Sequence, residues 1–305
     1  MIRRFYGLDA SVYIFQAYFA RQTRHLSPAG YALNAVEGYL ETLLKFLHNE
    51  RPEYLLIAFD ESLGQGFREQ LYPAYKSRRA LPDKALAFQL RACRELSEAL
   101  GLNCYANARF EADDILASGA RRARELGMAV TIISRDKDLA QLLYGEADRL
   151  WHLGDAPRSA SQWREERGVD CATIADFLAV AGDAVDDIPG LRGVGEKTAT
   201  IIFQHYRSLE AIYANLDGLA ALPVRGAKGL AEKFILARQQ LFLFRQLCRL
   251  RDDVPLPAFE SPAMRRRNVG NWIERAEALG FTPAYLAQLQ SRYPRAFTAL
   301  EGHYP

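Results

Sequence analysis

Ala129-Val-Thr-Ile-Ile-Ser-Arg-Asp-Lys-Asp138 runs from an apolar, β-branched stretch straight into two aspartates spaced i and i+2. A run this short and this rich in Val, Ile and Thr reads as a buried strand, Ala129–Ser134, that stops where the acids begin. Two earlier stretches repeat the plan. Arg4-Phe-Tyr-Gly-Leu8 leads into Asp9, and Tyr54-Leu-Leu-Ile-Ala-Phe59 leads into Asp60. Helical periodicity lies between them: Ala35–Asn49 carries Val36, Tyr39, Leu40, Leu43, Leu44 and Leu47 at helix spacing, and Leu86–Leu100 and Asp113–Leu126 are similar. Strands alternating with helices predict an α/β domain built on a mainly parallel sheet flanked by helices. Ligands of such sheets collect beyond the carboxyl ends of the strands, where all three acidic positions fall.

After about Trp163 the character changes to short helices and glycine turns. Ala172–Ala181 and Lys197–Tyr206 read as helices around a Gly- and Pro-rich hairpin at Ile188–Glu196, and Lys228–Arg249 reads as a longer helix. A proline-bearing linker, Asp252–Pro257, then leads to a polar helical tail containing Arg265–Arg267. The expected division is an α/β domain over 1–165, a helical domain over 166–258 and a C-terminal helical extension over 259–305.

Composition sets the outer bounds. The chain has 305 residues, 49% apolar and 25% charged, which suits a globular protein and not extended disorder. No apolar run approaches the ~18 residues that span a bilayer, and the opening stretch reads as a first strand and not a leader. A cytoplasmic monomer with no membrane partner is the expectation. Cys93, Cys104, Cys171 and Cys248 are widely spaced and read as free thiols, neither a zinc site nor a disulfide framework. The net charge of +2 is uninformative, but Gly64–Arg94 holds Arg68, Lys76, Arg78, Arg79, Lys84, Arg91 and Arg94 against only Glu69 and Asp83.

The acids form further groups. Phe110-Glu-Ala-Asp-Asp-Ile115 puts three carboxylates at a helix start, where capping accounts for one or two of them. Ala181-Gly-Asp-Ala-Val-Asp-Asp187 adds another group in the helical part. Packed together without cations, so many carboxylates would repel one another and destabilise the fold. Hard divalent ions prefer such oxygens, and two of them can serve phosphodiester cleavage.

Five stretches in this order resemble the 5′ nuclease family, which includes the 5′–3′ exonuclease domain of bacterial DNA polymerase I, its phage relatives and flap endonucleases. They are GLDASVYIFQAYFA (7–20), AFDESLGQGFREQLYPAYKSRR (58–79), FEADDILA (110–117), ISRDKDLAQLL (133–143) and AGDAVDDIPGLRGVGEKTA (181–199). The resemblance runs from about Tyr6 to about Asp253. It implies a PIN-like fold with a helical arch and a helix–three-turn–helix domain, in a free-standing member similar to exonuclease IX. By the same resemblance, Asp9, Asp60, Glu111, Asp113, Asp114, Asp136, Asp138, Asp183 and Asp186 form the acidic pocket. Asp60, Glu111, Asp113 and Asp114 would mainly serve one of two magnesium or manganese ions. Asp136, Asp138, Asp183 and Asp186 would form the second group.

Lys76 and Arg79 match basic residues that steer the scissile phosphate, with Arg68 assisting. Tyr72 and Tyr75 are candidates for stacking on bases, with core packing the competing reading. Gly190, Gly193, Val194, Gly195 and Lys197 resemble the hairpin that grips a duplex by its backbone, with potassium as a bridging ion. The implied reaction is hydrolysis of DNA at 5′ ends, flaps or nicks, leaving 5′-phosphate and 3′-hydroxyl products, with no nucleotide cofactor and a role in replication or repair. Three positions depart from the family pattern. Gln16 replaces an arginine, Ala10 a glycine, and Asp187 an asparagine, the last adding negative charge near the metals. A structure-specific DNA-binding protein with little catalysis is the rival expectation, and an RNA-directed nuclease of related topology a third.

Overall fold

The computed structural model describes residues 3–62, 64–256 and 271–298, so the expected basic tail at Arg265–Arg267, the 258/259 boundary and Pro257 of the linker lie outside the described residues. Five strands, β1 (Arg4–Asp9), β2 (Tyr54–Asp60), β3 (Asn103–Asn107), β4 (Ala129–Ile133) and β5 (Arg149–Trp151), make one sheet in the order β3-β2-β1-β4-β5. Every pairing is parallel. Helices α1 (Ala10–Ala20), α2 (Asn34–Glu50), α3 (Phe67–Leu71), α4 (Lys84–Ala99) and α5 (Ala112–Glu125) fill the crossovers. β3 and β5 were not foreseen. The first has no buried residue, and the second is only three residues long, so neither presents an apolar run.

The strands that were foreseen are buried on both faces, as a parallel sheet requires. Phe5, Leu56, Ala58, Val130 and Ile132 face α5, and this core continues into the helical part through Leu139, Phe177 and Phe244. The helical part comprises α6 (Ala160–Arg167), α7 (Ile174–Ala181), α8 (Glu196–His205), α9 (Leu209–Ala214) and α10 (Leu230–Cys248). The other face of the sheet, with Leu8, Leu55, Ile57 and Phe59, packs on α1, α2 and α4. α11 (Trp272–Leu279), α12 (Pro283–Arg292) and α13 (Pro294–Thr298) join this second core through Trp272, Phe281, Leu286 and Leu289. The C-terminal helices therefore cover the outer face of α2 and α4. Burying each such large apolar side chain stabilises the fold by about 1.5–3 kcal/mol.

The arch takes a shorter form than the resemblance implied. Between α3 and α4 the chain runs from Tyr72 to Asp83 as turns and extended backbone, without a helix. This strap is tied to the α7–α8 loop, because the Lys76 amide donates to the Asp186 carbonyl at 3.1 Å.

Candidate active site

The carboxyl edge of the sheet collects the acids. Asp9 closes β1 and caps α1, accepting from the Ser11 amide at 3.0 Å and from the Ser134 hydroxyl at 3.0 Å. Ser134, at the end of β4, also accepts from the Asp136 amide at 3.0 Å, so one hydroxyl joins two acidic strand ends. Asp136 in turn accepts from the Asp138 amide at 2.8 Å. Asp60 closes β2 and accepts from the Ser62 amide and hydroxyl. Past β3, Asn107 accepts from the amides of Arg109 and Phe110, a turn that delivers Glu111 and Asp113 to the start of α5. From the helical part come Asp183, which accepts from the Val185 amide at 2.8 Å, and Asp186.

Burial and neighbouring negative charge raise the pKa values of Asp9, Asp113 and Asp138. Burial, with the charges of Asp136 and Asp60 behind it, pushes Asp9 up to about 6. Asp113 is pushed well above the carboxylate range by burial and by Asp136, Asp9 and Glu111. Burial, Asp136 and Asp183 push Asp138 up to about 8. Asp136 therefore links two groups, one with Asp9 and Asp113 and the other with Asp138 and Asp183. Glu111 goes the other way. Burial pushes it up, but the charges of Lys76 and Arg68 outweigh that and hold it low. Lys76 is the hub of the cationic side, with its ammonium 3.0 Å from both Glu111 oxygens and 3.6 Å from Asp186.

The donor set suits hard divalent cations, being carboxylate oxygen throughout. Asp138 Oδ1 is buried without a hydrogen-bond partner, an orphan that a cation would satisfy. Among the described residues no three Asp, Glu, His or Cys side chains are already gathered in a metal-holding arrangement.

Several expected roles do not fit. Arg68 is buried and donates two hydrogen bonds, of 2.6 and 2.7 Å, to Asp114, with a third to the Leu247 carbonyl, so it faces the core and not a phosphate. Asp114 is fully buried and also accepts from the Arg251 and Glu111 amides, which leaves no oxygen free for a metal. Tyr75 is buried too, its hydroxyl reaching Asp186 at 3.1 Å and Glu111 at 3.3 Å, so its ring is not open to a base. Half-buried Tyr72 meets Phe244 edge-on at 5.8 Å and serves the core.

In the hairpin, Val194 is buried and Gly190 packs against Gly182, where a Cβ would come within 2.4 Å of the Gly182 nitrogen. Both hold the turn together; neither is a contact surface. Gly193, Gly195 and Lys197 are exposed. Asp187 does not add an unopposed charge near the acids, because Arg78 is ion-paired to it. Gln16 is exposed on α1 and Ala10 is buried at its first position.

Family models match the chain from residue 4 to residue 269. The N-terminal resolvase-like domain of the 5′–3′ exonucleases matches residues 4–168, and their C-terminal SAM fold matches residues 169–269. The chain belongs to the 5′–3′ exonuclease family. One relative within it, a 5′–3′ exonuclease of Buchnera aphidicola, is 30% identical over 82% of this chain and 86% of its own. DNA polymerase I of Pseudomonas aeruginosa is 36% identical over 82% of this chain but only 27% of its own, so this chain spans about a quarter of that polymerase. The fold is also similar to that of a bacteriophage T5 flap endonuclease solved with DNA and metal ions. That match has a TM-score of 0.63 and 18% identity, and covers 98% of this chain and 100% of the phage protein.

Four residues at the site carried no sequence signal strong enough to single them out. Ser134 ties Asp9 to the Asp136 turn. Ser62 holds Asp60. Lys137 pairs with Asp183 at 3.4 Å. Lys233 of α10 lies beside the hairpin, its ammonium 3.0 Å from where a Cβ on Gly193 would sit. Serines and lysines are common near any turn, and only the fold brings Ser134 to Asp9, Lys137 to Asp183 and Lys233 to the hairpin.

Proposed function

We propose that this chain hydrolyses DNA phosphodiesters at or near a 5′ end or flap junction, leaving 5′-phosphate and 3′-hydroxyl products. The observation that carries the reading is the hydrogen-bonded run Asp9–Ser134–Asp136–Asp138 at the sheet's carboxyl edge, in a chain of this family. Asp9, Asp60, Glu111, Asp113 and Asp136 are the candidates to hold one divalent ion, and Asp138, Asp183 and Asp186 a second. Magnesium or manganese suits their oxygen donors. Two such ions supply positive charge against the negative charge that develops on the phosphate and the leaving oxygen.

The chain's own groups do the rest. Lys76 and Arg79 orient the scissile phosphate and share in stabilising its charge. Tyr75 holds Asp186 and Glu111 in place, and Ser134 does the same for Asp9. The exposed backbone at Gly193 and Gly195, with Lys197, grips a duplex without reading its sequence. A potassium ion between that hairpin and a phosphate belongs to the same reading.

The test is incubation of a 5′-labelled flap duplex with magnesium or manganese, with the product ends mapped. Cleavage near the junction that leaves a 5′-phosphate supports the proposal. Binding without cleavage in either metal leaves a DNA-structure-binding protein instead, and preference for a matched RNA flap would transfer the activity to RNA.

A further inference from the structure

The strap divides the front of the site into two clefts. The larger, about 1010 Å³, is lined by Asp60, Glu111, Lys76 and Arg79. The smaller, about 630 Å³, is lined by Asp138, Asp183, Asp187 and Arg78. Adjacent arginines of one strap therefore face opposite clefts, one beside each carboxylate group. Arg79 has a role in the proposed reaction. Arg78 has none.

Arg78 is not idle in the structure. Its guanidinium is ion-paired with Asp187, and its amide donates to Asp187 Oδ2 at 3.2 Å. The Arg78 side chain is 77% exposed while that of Asp187 is only 10% exposed, so it is the guanidinium end of the pair that stands in solvent, free to exchange its partner. A planar guanidinium can make the same paired contact with a phosphate as with a carboxylate. Asp187 occupies the left-handed region, φ +56°, which Asp and Asn tolerate better than other side chains. Its side chain is thus presented to Arg78 by the backbone turn, and an asparagine there keeps the turn while losing the charge.

We propose that Arg78 is a phosphate-positioning residue, masked by Asp187 in the DNA-free protein and transferred to the DNA backbone on the Asp138–Asp183 side of the strap. The inference rests on the DNA-cleaving reading above. Asp187 then sets a threshold for entry into the smaller cleft, because a strand gains Arg78 only by displacing it.

The test measures binding of a fluorescent 5′-flap DNA in EDTA across a potassium chloride series. The proteins compared are wild type, Asp187→Asn, Arg78→Ala, Arg78→Lys and the double variant Arg78→Ala/Asp187→Asn. Asp187→Asn is expected to tighten binding by about two- to fivefold, the range of an exposed ion pair. Arg78→Ala is expected to weaken binding and to reduce the slope of log affinity against log salt by about 0.9, one phosphate contact. Arg78→Lys should restore that slope, and the double variant should bind like Arg78→Ala. A purely structural pair would shift both single variants in the same direction, which would overturn the proposal. So would an unchanged slope in Arg78→Ala, or equal tightening by Asp187→Asn with and without Arg78. Wild-type protein that does not bind flap DNA would overturn the functional reading and this one with it.

Discussion

Arg68 and Asp114 are joined by two parallel charge-assisted hydrogen bonds, of 2.6 and 2.7 Å, where neither side chain meets solvent. Both residues come from motifs otherwise devoted to the site, yet they form a strut between α3, α5 and the Leu247–Arg251 segment. Removing one partner of such a pair strands a buried charge and costs about 3–5 kcal/mol. Asp114→Asn and Arg68→Met should therefore lower the free energy of urea unfolding by that order, measured without metal. Retained stability with a selective loss of metal affinity would make Asp114 a ligand after all.

Ser134 predicts a different phenotype. Its hydroxyl serves Asp9 and the Asp136 turn, so Ser134→Ala leaves every carboxylate present but loosens two of them. Loss of a group that orients metal ligands typically costs about 10–100-fold in metal affinity or activity. The magnesium concentration for half-maximal cleavage should rise accordingly, with partial rescue at high manganese. An unchanged metal midpoint would remove Ser134 from the site.

Burial of the acids, reinforced by their mutual repulsion, gives a pH signature in metal-free protein. Asp9 at about 6 and Asp138 at about 8 lie above the ~3.9 of an unfolded aspartate, chiefly through burial. The folded state thus holds more protons than the unfolded state between pH ~4 and ~8, and stability falls as pH rises through that window. Melting temperature in EDTA should decline from pH 5 to pH 8. Magnesium should reverse the decline, binding more tightly as pH rises and releasing protons. A melting temperature in EDTA that climbs with pH would contradict the crowding.

Lys233 lies beside the exposed hairpin backbone, so on the proposed reading it shares the contact with a duplex. Lys233→Ala should weaken DNA binding and reduce the salt slope by about 0.9, with cleavage at saturating DNA little changed. Identical slopes would place Lys233 outside the interface.

At the far end of the chain, Trp272 is 2% exposed and sits in the core shared with α2 and α4. Trp272→Ala should cost about 3–5 kcal/mol by thermal or chemical unfolding, although the residue is remote in sequence from the sheet it stabilises. Near-wild-type stability would show the C-terminal helices to be dispensable.

Much of this architecture was legible because its signals are local. The apolar runs into Asp9, Asp60 and Asp136 marked β1, β2 and β4, and the periodicity of Ala35–Asn49 marked α2 within a residue at each end. The Gly- and Pro-rich stretch before Lys197 likewise marked the turn into α8. What escaped was set by partners distant in the chain. β3 has no apolar alternation, and β5 forms only because β4 lies beside it. Arg68 looked like a phosphate contact because a basic stretch has no inside or outside until Asp114 is brought to it. Tyr75 looked like a stacking ring for the same reason. The arch was inferred from resemblance, and here Tyr72–Asp83 forms a strap without a helix.

On the proposed reading, the carboxylates linked through Asp136 at the sheet's carboxyl edge make this chain a metal-dependent nuclease. The most direct test is single-turnover cleavage of prebound 5′-flap DNA by wild type and by Asp136→Asn, in magnesium and in manganese, with binding followed in parallel. Wild type should cleave, and the variant should lose at least about a hundredfold in rate, the scale of one lost charge-stabilising group, with DNA affinity retained. Comparable cleavage by Asp136→Asn, or binding without cleavage by wild type in both metals, would contradict it.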